Sequence, residues 1–392
     1  MKYVCLSIFF WISKAVLLAQ IPAPSSVQVL IDSIQKLYAP DKRTAIFELK
    51  HELSQDGQSK ILGSTDQPEA LDALKMVILR NHPNILVAVE LLPEQALGQN
   101  QFGLVNVSVA NLRTEPRHGA ELATQALLGT PLKVLRKKGD WCLVQTPDRY
   151  IAWLESGAFT AMDSDAMQRW QRSERLIFMG DYALCFAPGE TSAPKSDLTT
   201  GGILEWDVKS GLLKFPDGQS VEKPAGTWLS LNSWKNRSAS DRDSLLADAI
   251  KLSGRPYLWG GTSAKGLDCS GFTRTVYFLH GVVIPRDASQ QVKVGKALPL
   301  KDDFEGLEKG DFLFFGNYRD DGSARVTHVG LYMGSGKFIH SGADNGAVRI
   351  QSLIPGDADF QEQRRNTLLF AKRLRPDDHG LWRVAGSQWY FE

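Results

Sequence analysis

The chain has 392 residues, with 45 basic and 44 acidic side chains and a formal net charge of +1, so no global field recruits nucleic acid or an anionic membrane. That length exceeds what one hydrophobic core organises, which predicts two to four domains. The short basic clusters Arg136-Lys137-Lys138 and Arg364-Arg365 read as solvated faces.

The chain opens with Lys2, an apolar stretch from Tyr3 to Ile12, and Ala15 to Ala19 before the Pro/Ser-rich run Pro22 to Ser26. This is the pattern of an export signal over residues 1–20. The stretch is too short to span a membrane comfortably, and Lys14 interrupts it. No cysteine follows at a place suited to lipid attachment. The expectation is a soluble exported protein, periplasmic or secreted, with no stable membrane insertion once the signal is removed. Cys142, Cys185 and Cys269 then remain; an odd count in an oxidising compartment suits one free reactive thiol, with the other two either paired or buried.

Residues 21–100 read as a small α/β unit. A helix runs from Val27 to Leu37, followed by strands around Ala45-Phe47-Leu49 and Ile61-Leu62. An amphipathic helix over Pro68 to Arg80 has proline in its first turn, and an apolar strand covers Ile85 to Leu92. His51 and His82 read as surface or capping residues. Residues 101–160 hold short strands separated by turns at Pro116 to Gly119, Gly129 to Pro131, Gly139-Asp140 and Pro147-Asp148, the spacing of a small β-barrel. Asp163 to Arg175 is charged and free of Gly and Pro, which predicts a connecting helix. A second strand-rich block, Leu176 to Leu231, carries aromatics at Phe178, Tyr182, Phe186, Trp206, Phe215 and Trp228 and makes 161–238 a second domain.

Chemistry concentrates in residues 239–378, ahead of a C-terminal tail at 379–392. Cys269 sits in Leu267-Asp268-Cys269-Ser270-Gly271, and Ser270 to His280 puts Phe272, Val276 and Leu279 on one face before Gly281. The pattern is a buried helix with a glycine stop. A thiol at a helix N-terminus is expected to have a lowered pKa. Downstream, Val329, Leu331 and Met333 alternate with His328, Gly330 and Tyr332, so His328 faces away from the apolar side. Gly334-Ser335-Gly336 read as a three-residue loop puts Met333 opposite Lys337 and His340 opposite Gly330. Both imidazoles then lie on one face as diagonal neighbours, giving nucleophile, base and orienter.

Taken singly, such a cysteine is a small buried hydrophobe and such a histidine a satisfied polar residue; it is their joint placement that argues for a site. Zinc is the other chemistry open to one cysteine and two histidines, but the gap from Cys269 to His328 matches no compact ligand spacing. No metal or cofactor is therefore expected. Gly334-Ser335-Gly336-Lys337 lacks the spacing and following hydroxyl of a phosphate loop and reads as a turn. The glycines of Trp259-Gly260-Gly261 read as places where the backbone closely approaches a substrate or the Cys269 helix.

The stretch from Asp241 to Pro376 resembles the NlpC-type cell-wall cysteine peptidases, which have a papain-like core. The likeness rests on Pro256-Tyr257-Leu258-Trp259-Gly260-Gly261, Leu267-Asp268-Cys269-Ser270-Gly271-Phe272, Pro285-Arg286-Asp287, Gly310-Asp311-Phe312-Leu313-Phe314-Phe315, Thr327-His328-Val329-Gly330 and His340-Ser341-Gly342. The resemblance implies Cys269 as nucleophile, His328 as base, His340 as polar third member and Tyr257 beside the oxyanion site, with Asp268 and Ser270 among substrate-binding residues. It also implies hydrolysis of amide bonds in peptidoglycan stem peptides, typically between the γ-carboxyl of D-glutamate and a diamino acid.

Asn111-Leu112-Arg113, Gly139-Asp140-Trp141 and Tyr150-Ile151-Ala152-Trp153 resemble bacterial SH3-like domains, and 161–238 looks like a diverged copy. The expected fold is thus multidomain α+β, a papain-like NlpC-type domain preceded by two SH3-like barrels and a small N-terminal α/β unit. This pairing resembles the muropeptide-recycling enzymes, which prefer stem peptides with a free N-terminal L-alanine. By that likeness Glu121, Tyr150 and Asp287 meet the ammonium group, while Ala288 stands where serine is often found. The expected partners are peptidoglycan-derived peptides (muropeptides). The competing readings are a non-catalytic wall-binding protein and a thiol amidase or acyltransferase acting on another substrate.

Overall fold

A computed structural model describes residues 27–54 and 57–392; the export-signal reading lies outside them. The chain divides into two compact units at Gly98. Among the described residues no helix is long and apolar enough to cross a membrane.

In the first unit, α1 (Val27–Tyr38) buries Val27, Leu30, Ile31 and Ile34, the three-and-four spacing of one helical face. β1 (Phe47–Leu53) pairs antiparallel with β2 (Ser59–Thr65), and β2 runs parallel to β3 (Leu86–Leu91). A parallel pair needs a crossover. Here it is α2 (Pro68–Asn81), which begins with proline in its first turn and buries Ala70, Leu71, Ala73, Leu74 and Ile78. His82 caps α2, its backbone N–H donating to the Ile78 carbonyl at 2.8 Å. His51 is bonded to the Ser59 hydroxyl at 2.6 Å.

The second unit begins with seven antiparallel strands: β4 (Phe102–Val105), β5 (Val109–Arg113), β6 (Leu122–Leu127), β7 (Pro131–Lys138), β8 (Trp141–Gln145), β9 (Ile151–Glu155) and β10 (Phe159–Met162). Their order across the sheet is β10-β4-β7-β8-β9-β5-β6, and the expected turns fall between strands, except that Pro131 already opens β7. Helix α3 (Ser164–Arg172), capped by the Asp163 carboxylate on the Ala166 N–H, leads out. It enters a block of β11 (Arg175–Phe178), β12 (Tyr182–Cys185), β13 (Ser196–Thr199), β14 (Ile203–Asp207), β15 (Leu212–Lys214), β16 (Ser220–Glu222) and β17 (Trp228–Ser230). There β16-β15-β14-β11-β17 form one sheet and β12-β13 a ribbon. Leu128 of the first barrel packs into the core of this block with Phe178, Leu204 and Phe215. Cys142 and Cys185 are unpaired and buried, which settles the earlier alternative in favour of burial.

After α4 (Leu231–Lys235) and α5 (Arg242–Lys251), a short ribbon of β18 (Thr262–Ser263) and β19 (Gly266–Leu267) delivers the chain to α6 (Cys269–Leu279). β20 (Val282–Val283), α7 (Ala288–Gln291) and β21 (Lys296–Leu298) follow. Next come β22 (Phe312–Tyr318), β23 (Ala324–Gly334), β24 (Lys337–Gly342), β25 (Ala347–Ser352), α8 (Glu362–Thr367) and β26 (Leu368–Arg373). The six-stranded sheet has the order β21-β26-β22-β23-β24-β25. Its central strand β22 is apolar without alternation because both faces are covered. Phe312 and Phe314 join Phe272, Val276, Val329 and Leu331 in one core. Leu313 and Phe315 join Tyr332, Phe338 and Leu353 in another. The last residues are packed rather than trailing: β27 (Trp382–Arg383) pairs with β20, and Tyr390 is buried against Trp234 and Phe278.

Candidate active site

Cys269 is the first residue of α6, and Asp268 caps the helix by accepting the Gly271 N–H at 2.6 Å. The helix can sit this deep because Gly271 has no side chain: a Cβ there would lie 2.0 Å from the Gly261 carbonyl oxygen. Gly260, at φ +77°, likewise leaves room for the Leu122 carbonyl of the first barrel. The two glycines thus serve close approach to the Cys269 helix and to the barrel wall.

The Asp268 carboxylate is fully engaged. Besides Gly271 it accepts the Gly260 N–H at 3.0 Å, the Ser270 hydroxyl at 3.3 Å and Arg286 through Nη1 at 3.1 Å and Nη2 at 2.6 Å. The buried Arg286 guanidinium also donates to Ser270 Oγ at 3.0 Å and Thr124 Oγ1 at 2.9 Å. A bidentate pair with two further donors hydrogen-bonded is the kind of arrangement in which a buried charge is tolerated. The side chains of Asp268 and Ser270 therefore hold the start of α6 and bind it to the first barrel.

The expectation of a lowered thiol pKa is overturned. Burial, then the Asp268 carboxylate, push Cys269 up to about 12, although the Val329 N–H, Arg286 and the Ser270 N–H act the other way. At this site desolvation outweighs the helix N-terminus. The thiol of the unliganded protein is neutral at pH 7, facing the backbone of β23 one residue beyond His328.

The histidines sit on the β23–β24 hairpin. Its loop is a two-residue turn and not the expected three: Ser335 (φ 52°) and Gly336 (φ 71°) both take positive φ, the geometry of a type I′ turn. Gly334 opposes Lys337, Tyr332 opposes Phe338 and Leu331 opposes Ile339, with an irregularity that leaves Met333 unpaired. That bulge offsets the shorter loop, so the register at the histidines is the expected one. A Cβ at Gly330 would lie 3.1 Å from the His340 Cβ, which is why glycine stands opposite an imidazole. His328 Nε2 and His340 Nδ1 are 2.7 Å apart, with the rings nearly perpendicular at 88°. Burial, the neighbouring His340 and the Arg364 charge hold His328 well below its ordinary value. Burial holds His340 down at about 4, with the Gln351 hydrogen bond opposing it. The pair is neutral at pH 7, the state in which an imidazole can accept a proton.

Tyr257 is half-buried. Burial, then the nearby Cys269 (when ionised) and the Asp268 carboxylate, push its phenol up to about 12, so at pH 7 it stays a donor close to the thiol. Across the cleft, the Tyr150 hydroxyl of the first barrel donates to Asp287 Oδ2 at 3.3 Å. Glu121 is exposed and engaged elsewhere: Trp259 Nε1 donates to its Oε1 at 2.6 Å. Tyr150 and Asp287 thus meet directly, whereas Glu121 reaches the catalytic domain through Trp259.

Two contributors were not visible in the sequence reading. Arg364 was expected on a solvated face, but its side chain is only 16% exposed, paired with Asp344 at 2.9 Å and lying 5.9 Å over the Phe315 ring. Gln351 on β25 carries the hydrogen bond to His340 Nε2 at 2.5 Å. Its place follows once β25 is paired with β24, since a residue two positions from the partner of His340 shares that face.

A buried thiol at a helix start, beside paired neutral imidazoles on an antiparallel sheet, defines a cysteine-type peptidase with a papain-like core. The comparisons with known proteins agree. Residues 254–357 match the NlpC/P60 family, and residues 112–159 match the bacterial dipeptidyl-peptidase Sh3 domain. The γ-D-glutamyl-L-lysine dipeptidyl-peptidase of Bacillus cereus is 34% identical over 257 residues, covering 60% of this chain and 72% of that protein. Dipeptidyl-peptidase 6 of Lysinibacillus sphaericus is 28% identical over 261 residues, covering 64% of this chain and 91% of that one. A crystal structure of an NlpC/P60 family protein from Bacillus cereus superposes with a TM-score of 0.59 at 26% identity, covering 70% of this chain and all of that one. The chain belongs to the NlpC/P60 family of peptidoglycan hydrolases.

Proposed function

We propose that this protein hydrolyses the amide bond between the γ-carboxyl of D-glutamate and a diamino acid in peptidoglycan stem peptides, and that it prefers peptides with a free N-terminal L-alanine. The observation that carries the chemistry is the His328–His340 pair at 2.7 Å, on a strand whose next N–H meets the Cys269 sulfur. In this reading His328 takes the thiol proton as sulfur attacks the γ-carbonyl carbon, and Tyr257 steadies the developing oxyanion. The imidazolium returns the proton to the leaving amine, giving a thioester. Water, deprotonated by His328, then releases the D-glutamyl carboxylate and regenerates the thiol. A neutral thiol beside a neutral imidazole makes proton transfer part of the attack.

The amine preference is supported by the Tyr150–Asp287 contact between the first barrel and the catalytic domain, at 3.3 Å. A partly buried ammonium needs acceptors, and a site built to supply them rejects an acylated amine by leaving those acceptors unpaired. Glu121, held by Trp259, adds negative charge at that wall. The relative named a γ-D-glutamyl-L-lysine dipeptidyl-peptidase supports a diamino acid on the leaving side. The same reading places the enzyme outside the cytoplasm after loss of residues 1–20. The test compares L-Ala-γ-D-Glu-diamino acid with its N-acetyl form: cleavage of the free-amine peptide by roughly 10²-fold or more is expected. Equal rates would leave a general wall endopeptidase.

A further inference from the structure

The hydrogen bonds behind His340 form a directional chain whose first donor is unambiguous. The Ala347 backbone N–H can only donate, and it donates to Asn345 Oδ1 at 3.1 Å. That fixes the Asn345 amide and turns its Nδ2 toward Gln351 Oε1, at 3.4 Å. Gln351 therefore presents an oxygen to His340 Nε2 at 2.5 Å, and an oxygen acceptor requires the proton on that nitrogen. In a neutral ring Nδ1 is then a lone pair, so the contact to His328 Nε2 at 2.7 Å needs the proton on His328 Nε2. What remains on His328 is an unprotonated Nδ1.

From this we infer that Asn345 and Gln351 are positioning residues which set the tautomer of the base, holding His328 as the Nε2–H form with Nδ1 as the proton acceptor. The inference deepens the proposed mechanism and rests on His328 acting as base toward Cys269. Each link is local to β25 and the turn before it. Gln351 pairs with Phe338, two residues from His340, which places its amide diagonally across from the imidazole. An amide suits the position because it supplies an acceptor without a charge. A carboxylate there would draw a second proton onto His340 and turn Nδ1 from acceptor into donor. The charged groups around the pair are Arg349, in register with His340, Asp344 in the turn after β24 and Arg364 on α8. Arg364 disfavours a proton on either ring, and Asp344 favours one on His340.

The experiment uses the full chain with ¹⁵N-labelled histidine and reads imidazole ¹⁵N shifts without substrate at pH 7, alongside kcat and KM on the free-amine tripeptide. In wild type both rings are expected as the Nε2–H tautomer. Gln351→Met keeps length but removes the acceptor. It should give a mixed tautomer signal and lower kcat roughly 10- to 100-fold, less than loss of the whole base would cost, with KM within about twofold. Gln351→Glu restores the acceptor and should recover activity at alkaline pH, with the acid limb of kcat/KM moved to higher pH. Asn345→Ala should reproduce a milder Gln351→Met spectrum, and it keeps the inference testable should the methionine variant fail to fold. A wild-type spectrum and kcat in Gln351→Met, or Nδ1–H on either ring in wild type, overturns the assignment. Failure of the underlying mechanism reads differently: Cys269→Ala would keep turnover, whatever the tautomer spectrum.

Discussion

The two walls of the cleft are built on opposite electrostatic terms. On the side of Cys269, His328 and His340 every group is buried and the thiol and imidazoles are neutral at pH 7, because desolvation is the largest influence on each. On the other side Tyr150 is buried, but the carboxylates of Asp287 and Glu121 are half-buried and exposed, respectively, and the groups come from two domains. A neutral wall can pass a proton within the reaction without stabilising an ion pair in advance. A charged wall can select a cationic end group while contributing little to bond breaking.

Substitutions should separate the two walls by which kinetic constant moves. Cys269→Ala should abolish turnover, a loss of roughly 10⁵-fold or more, with the melting temperature close to wild type and EDTA without effect on the parent enzyme. Loss of activity to EDTA, restored by zinc, would replace the thiol mechanism with a metal one. Next in size, His328→Ala should cost kcat/KM on the order of 10⁴-fold and His340→Ala about 10²-fold, since in the proposed mechanism one ring exchanges the proton and the other orients it. Iodoacetamide labelling of Cys269 should rank the variants the same way, and the reverse order would exchange the two roles.

The neutral wall also has a signature in stability. The unfolded chain takes up protons near the ordinary histidine value of 6.5, whereas folded His340 does so only near 4. The unfolded state therefore binds more protons in that window, and stability present at pH 7 is lost as the pH falls through it. The histidine pair should therefore make stability fall as the pH drops below 6.5, read from urea midpoints, and the pH dependence should be smaller in His340→Asn. The charged wall should yield the smallest effect: Glu121→Gln is expected to raise KM for the free-amine peptide about threefold and to narrow the gap to its N-acetyl form, leaving kcat unchanged. A fall in kcat instead would assign Glu121 to the reacting centre.

How much was legible follows from which interactions are local. Cys269 and the start of α6 could be read because a helix cap, a glycine stop and an apolar face lie within one short segment. The histidine register was right although the loop was read one residue too long, because the unpaired Met333 takes up the difference. The thiol pKa was misjudged because burial is a property of the assembled core, and sequence exposes the helix terminus but not the desolvation that exceeds it. Arg364 was misplaced for the same reason, since its partners Asp344 and Phe315 are distant in the chain. Gln351 needed the β24–β25 register, which no hydrophobic alternation in Ala347–Ser352 announces.

Arg286 has one consequence for modular exchange. Its guanidinium holds the cap of the Cys269 helix on one side and the Thr124 hydroxyl of the first barrel on the other. A graft that replaced the barrel with one lacking a hydroxyl or other acceptor at position 124 would leave a buried N–H unpaired beside the start of the Cys269 helix, a penalty of about 1–3 kcal/mol. Part of the seam between the first barrel and the catalytic domain therefore runs through one side chain's donor set, and a chimaera designed from domain boundaries alone would cut it.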